Sequence, residues 1–287
     1  MKFAVFTVGM PEYSPEEAIR TLKECGYDGV EFRITKLPTD PEVLKKPYSY
    51  WENNKCTVDE DHLLEEAPKL KALCEEAGVE ICALGTYMRC NEPERVENAL
   101  KAAVIMGCPK IRVSPYGYDG KENYRDLFDR AVQDYRKLER LAKQYGVKIN
   151  MEMHMNTITA SASAAYRLAS HFDPNYIGVI YDTGNIVYEG FENYKAALEI
   201  LGEYLDHVHI KNAKWNLKEE KDGVKYWAAD STPFKEGHTD FTKVFEALRS
   251  VGYNGYLTFE DFSNEQSTEE KLRGNIAYIK GLAETIR

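Results

Sequence analysis

The segment Asp206–Asn212, DHVHIKN, spends two of the chain's six histidines one residue apart, directly after an apolar run. In a β-strand, alternate residues face the same side, so His207, His209 and Lys211 share one face. Imidazole is both a metal ligand and a proton carrier near neutral pH. Three other apolar runs also turn polar at their ends. INMEMH carries Glu152 and His154, IGVIYDTGN carries Asp182 and Asn185, and GYLTFEDF carries Glu260 and Asp261. Gathered at one place, a Glu, an Asp, a His and a second Glu make a mixed oxygen and nitrogen donor set. That set suits Mn²⁺, Mg²⁺ or Co²⁺ better than a structural zinc, which prefers thiolate and imidazole.

Each residue alone has a plainer reading. A glutamate ending a strand is usually solvated or caps a helix. Asp182 in DTGN fits a turn, and His207, the deeper of the pair, fits a core position. His62 and His171 fall on helical stretches and read as surface residues, and His238 lies in a loop. The co-occurrence of four such ends on four successive strands favours a site.

The elements that must gather these ends repeat along the chain. A short apolar run is followed by a charged helical stretch, a glycine and the next apolar run. Gly26, Gly78, Gly107, Gly146 and Gly252 occupy such junctions, where glycine accepts the left-handed turn that ends a helix. LKECGYDGVEF (22–32) and LRSVGYNGYLTFE (248–260) nearly repeat one another. The pattern predicts strands over 2–8, 28–33, 79–84, 110–114, 147–153, 177–182, 205–210 and 255–260. Helices are predicted over 15–25, 60–77, 92–106, 122–145, 160–171, 191–201, 240–251 and 268–286. Eight alternating units without a G-x-G-x-x-G turn point to an α/β fold of the (β/α)8 TIM-barrel type, one domain over 1–287, rather than a doubly wound sheet. Two long loops, 34–59 and 211–239, would then lie on the C-terminal face as candidate lids. The aromatic PYSYWENN stretch in the first could instead serve a subunit contact.

Composition narrows the function. A formal net charge of −10 and a pI near 5.3 argue against a nucleic-acid surface. Six cysteines without a C-x-x-C pair read as reduced thiols, which points to a cytoplasmic protein. The N-terminal run lacks a signal-peptide pattern, and no stretch approaches the roughly 18 apolar residues of a membrane span.

The motifs GYDGVEFR (26–33), MEMH (151–154), YDTGN (181–185), HVHIKN (207–212) and GYNGYLTFED (252–261) resemble those of the xylose isomerase-like barrels, the sugar phosphate isomerase/epimerase superfamily. The resemblance covers essentially the whole chain. It implies one divalent metal ion, Mn²⁺ first, with Mg²⁺, Co²⁺ or Zn²⁺ as alternatives, held by Glu152, Asp182, His209 and Glu260. His207 then packs behind His209 or orients it. The expected chemistry is proton abstraction beside a carbonyl, with Glu152 and Glu260 as acid/base pair and His154 assisting. Asn185, Lys211, Arg112 and Trp215 are expected at the substrate, with Glu31 and Arg33 as further polar contacts.

Asn185 and Asn212 depart from the residues common in the family at positions that usually face substrate. The leading expectation is therefore a sugar or polyol isomerase or epimerase acting on a small carbohydrate. The alternative is a lyase or dehydratase on a keto-sugar, keto-glycoside or inosose. A non-catalytic barrel or an endonuclease IV-like enzyme fits less well, the latter for want of histidines and positive charge. A homo-oligomer is compatible with the resemblance.

Overall fold

The protein is described by a computed structural model covering residues 1–285. Eight parallel strands close into a barrel: β1 (Lys2–Phe6), β2 (Gly29–Thr35), β4 (Glu80–Arg89), β5 (Lys110–Ser114), β6 (Lys148–Glu152), β7 (Ile177–Asp182), β8 (Leu205–Ile210) and β11 (Tyr256–Phe259). Closure comes from β1, which pairs with β11 on one side and β2 on the other. The two-residue β3 (Val58–Asp59) adds to β2. Around the barrel lie α1 (Pro15–Cys25), α3 (Leu63–Ala77), α4 (Pro93–Met106), α5 (Tyr124–Tyr145), α6 (Ala162–Ala169), α8 (Tyr194–Leu201), α9 (Phe241–Ser250) and α10 (Thr268–Thr285). Two one-turn helices, α2 (Pro41–Leu44) and α7 (Asn185–Tyr188), lie in loops. The last residue of the predicted 268–286 helix lies outside the described residues. No described helix is long and apolar enough to cross a membrane.

All five junction glycines adopt positive φ, between 65° and 81°. The helix-to-strand turn they were expected to make is the one the chain takes. At one position a glycine is required for space. A Cβ on Gly85, inside the barrel, would press on the Phe6 ring and lie 2.9 Å from Glu31 Oε1. Its absence lets Phe6 and Glu31 reach the barrel centre.

Segment 211–239 differs from the loop predicted there. It folds into an antiparallel hairpin, β9 (Ala213–Lys221) and β10 (Val224–Ser231), joined by Asp222–Gly223. Both turn residues have positive φ, 52° and 77°, the conformation of a type I′ turn, for which Asp-Gly is a preferred pair.

At the N-terminal end of the barrel, Asp206 collects Lys110 Nζ at 2.7 Å, Lys148 Nζ at 3.0 Å and Asn150 Nδ2 at 2.8 Å. Burial opposes its ionisation, but the two lysines outweigh burial and hold the carboxyl well below the usual range. A depressed folded pKa stabilises above the unfolded value, about pH 4, and that stabilisation is lost as pH falls. Asp206→Asn should therefore lower stability near pH 7 by about 2 kcal/mol, a Tm drop of roughly 4–8 °C. The difference from wild type should shrink below about pH 4, which thermal melts across pH would read.

Candidate active site

The strand ends meet at the C-terminal mouth of the barrel. Across the sheet His209 is paired with Asp182 on β7 and with Thr258 on β11. Its Nδ1 lies 3.0 Å from Glu152 Oε1, 3.3 Å from Glu260 Oε1 and 3.8 Å from Asp182 Oδ2. All four side chains are buried. Glu152, Asp182, His209 and Glu260 thus form a cluster that could hold a metal ion. The donor chemistry fits one. Ligands about 2.1 Å from a small divalent ion stand roughly 3.0–3.5 Å apart, close to the spacing seen here.

The other ring nitrogen is also engaged. His209 Nε2 lies 3.1 Å from Glu31 Oε2, and His207 Nε2 lies 3.2 Å from the same oxygen and 2.8 Å from Thr258 Oγ1. Burial would raise the Glu31 carboxyl, but His209 and then His207 outweigh it and hold it low. A carboxylate behind an imidazole fixes its tautomer and leaves the far nitrogen free for a metal. The two histidines of the H-x-H strand therefore share one buried carboxylate. Glu31, which the sequence suggested only as a polar contact, is what links them. Glu31→Gln keeps the size and loses the charge. It should weaken divalent-ion affinity about 10–100-fold, measured by competition with a chelating indicator.

Asp182 divides its two oxygens. Oδ1 accepts from Gly184 N at 2.8 Å and Asn185 N at 2.7 Å, making the turn that DTGN suggested. Oδ2 faces His209 and Lys211. The two glutamates are treated unequally. Glu152 Oε2 accepts from Arg112 Nη1 at 2.8 Å. Burial disfavours its charge, but Arg112 and then His209 hold the carboxyl well below the ordinary range. Glu260 Oε2 accepts from Lys211 Nζ at 3.0 Å. Burial raises its pKa, and Lys211 and His209 only partly offset that. Lys211 stays protonated, because Asp182 and Glu260 outweigh the cost of its burial.

A cavity of about 340 Å³ opens above these groups. Glu152, Glu260, His154, Lys211 and Arg112 line it, together with Phe6, Trp51, Tyr87 and Arg89. Two residues expected at the substrate do not line this cavity. Asn185 is buried beneath it, donating to Met153 O at 3.1 Å and accepting from Lys211 Nζ at 2.9 Å. Trp215 sits on β9 and donates its indole N–H to Val187 O at 2.8 Å. Asn212 is drawn away as well, accepting from the backbone N–H groups of Ala213 and Thr239 and donating to Phe234 O. Arg33 is buried and bonded to Thr57 Oγ1 and Trp51 O. His62, His171 and His238 are exposed. Arg89 borders the cavity without having been singled out from the sequence, and Trp51 comes to it from the PYSYWENN stretch of the 34–59 loop. Strand alternation does not report on a loop residue such as Trp51.

The family model described as a xylose isomerase-like TIM barrel matches residues 19–282. An inosose dehydratase of Geobacillus thermodenitrificans is 31% identical over 276 residues, covering 87% of this chain and 82% of its own. Two solved structures share the fold. The IolI protein with a bound zinc atom has a TM-score of 0.75 at 16% identity, over 100% of this chain and 99% of its own. D-psicose 3-epimerase from Clostridium cellulolyticum H10, with D-tagatose, has a TM-score of 0.71 at 15% identity, over 99% of each chain.

Proposed function

Because this chain belongs to the xylose isomerase-like TIM barrel family, we propose that it is an enzyme abstracting a proton beside the carbonyl of a polyhydroxylated ketone, with loss of water as the outcome. The observation that carries this reading is the unequal pair of glutamates. A proton carrier must change its protonation state during turnover. Glu152, gripped by Arg112 and held ionised, is poorly suited to that. Glu260, whose Oε2 accepts from the single ammonium of Lys211 instead of a guanidinium, is better suited.

One carrier suffices for elimination. Glu260 takes the proton from carbon, the C–H electrons form the double bond, and the C–O bond beyond breaks. The departing hydroxide takes a proton from Glu260 or His154 and leaves as water. Lys211, held charged, offsets negative charge gathering on oxygen. A divalent ion held by Glu152, Asp182, His209 and Glu260, Mn²⁺ being our first assignment, would supply a Lewis acid for the carbonyl oxygen.

The inosose dehydratase likeness supports the same reading and suggests a cyclic keto-polyol as substrate. Epimerisation is the second reading, favoured by the fact that Glu152 and Glu260 both border the cavity. It needs a second proton carrier on the opposite face of the substrate carbon. The test is product mass after incubating Mn²⁺-loaded protein with inososes and keto-hexoses in D₂O. We expect a product lighter by one water. A product isomeric with its substrate, deuterated at an inverted carbon, would replace dehydration by epimerisation.

A further inference from the structure

We propose that Trp51 selects ring-shaped substrates by stacking on their C–H face, and that the buried Arg33 holds Trp51 in place; this rests on the polyhydroxylated-ketone reading above. The cavity has two unlike walls. Phe6, Trp51 and Tyr87 come from β1, the loop after β2 and β4, in that order. His154, Asn156 and Thr157 follow β6, which stands across the barrel from β1. A polyol in a chair form has apolar C–H faces and a polar rim. An extended polyol has no comparable apolar face. An aromatic wall opposite a polar one therefore matches the ring.

Trp51 is 55% exposed, yet its backbone is pinned. Arg33 Nη2 donates to Trp51 O at 3.0 Å and Nη1 donates to Thr57 Oγ1 at 2.6 Å. Arg33 is buried, and among the described residues no carboxylate lies within 4.0 Å of its guanidinium. Its Nη1 and Nη2 are both spent on the loop, while Nε has no partner among the described residues. The neighbouring Tyr50 donates to Ser263 O at 2.7 Å and accepts from Lys271 Nζ at 2.7 Å. Asn54 donates to Val8 O at 3.0 Å. The indole packs edge-on against Phe262 at 4.9 Å, and the Phe262 ring lies 5.0 Å from Lys211 Nζ. The exposed indole is thus fixed against Phe262, which lies two residues along the chain from Glu260. Ordering a stacking surface in advance removes part of the entropy cost of binding.

The test is calorimetric titration of Mn²⁺-loaded protein with two six-hydroxyl probes, cyclic myo-inositol and acyclic sorbitol. We expect wild type to prefer the ring about tenfold, the size of one aromatic stacking contact. Trp51→Ala should remove that preference, and Trp51→Phe should keep most of it. Metal content and Tm, measured alongside, exclude misfolding as the cause. Arg33→Met should weaken myo-inositol binding in wild type but add nothing in the Trp51→Ala background, because coupled residues are not additive. Equal losses in both backgrounds would remove Arg33 from the proposal. Wild type without ring preference, or Trp51→Ala weakening both probes equally, would overturn it. These are binding measurements, so a failed dehydration assay leaves their outcome independent.

Discussion

Glu260→Gln should reduce turnover by about 10³-fold or more, the range set by losing a positioned proton carrier. Gln has nearly the same shape and still offers Lys211 an oxygen. What it loses is the ability to accept a proton and the charge, which as one of the four clustered donors also helps hold an ion, so turnover is compared at saturating Mn²⁺ with metal content measured alongside. The loss should appear as halted solvent-deuterium exchange into the substrate, and not only as slower product formation. Glu152→Gln provides the contrast. It leaves the buried Arg112 guanidinium without its carboxylate, 2.8 Å away in wild type, so it should also lower stability.

The pH dependence has a definite sign. A base is inactive while protonated, so kcat/KM should rise with pH through the ionisation of Glu260 in the metal-loaded protein. That acid limb should vanish from whatever activity Glu260→Gln retains. If Glu260→Gln exchanges deuterium at the wild-type rate, Glu260 is not the proton carrier.

Removing Glu152 and His209 together, each replaced by alanine, should take the protein from about one divalent ion per chain to none. Activity should fall below detection. Two of the four clustered donors are lost, including the imidazole on which the three carboxylates converge. Elemental analysis of gently purified protein, wild type beside the double variant, reads the result. Wild type that holds no metal, even after incubation with Mn²⁺, would end the metal assignment.

Without an ion, His209 is held protonated, since Glu31 and Glu260 outweigh the burial that disfavours its charge. An ion at Nδ1 must displace that proton. Apparent affinity should therefore increase with pH, with proton release visible as a buffer-dependent heat of binding. In the metal-free chain the sign reverses. A raised folded pKa stabilises fully below the ordinary histidine value, and that stabilisation is lost as pH rises through the folded value.

Much of the site was readable from the chain because strands impose a period of two. An apolar strand that ends in Glu152, Asp182, His209 or Glu260 announces both its face and its end of the barrel. The glycine junctions marked where five of the helices stopped, since few other residues accept that backbone. The Asp222–Gly223 turn carries an equally local signal, and it makes a hairpin of a segment whose length and polarity suggest a plain loop.

What the sequence by itself determined was the order of βα units, the strand-end donors and the acidic character that disfavours nucleic acid. Tertiary structure alone decided which charges meet. Arg112 and Lys211 both looked like substrate contacts, yet their pairing with Glu152 and Glu260 sets the two carboxyls apart. Asn185, Asn212 and Trp215 turned to bonds beside or beneath the cavity, while Trp51 came to its edge. Pairing, burial and the resulting pKa shifts depend on distances between strands and loops remote in sequence. Local periodicity fixes where a side chain starts, and only the closed barrel fixes what it touches.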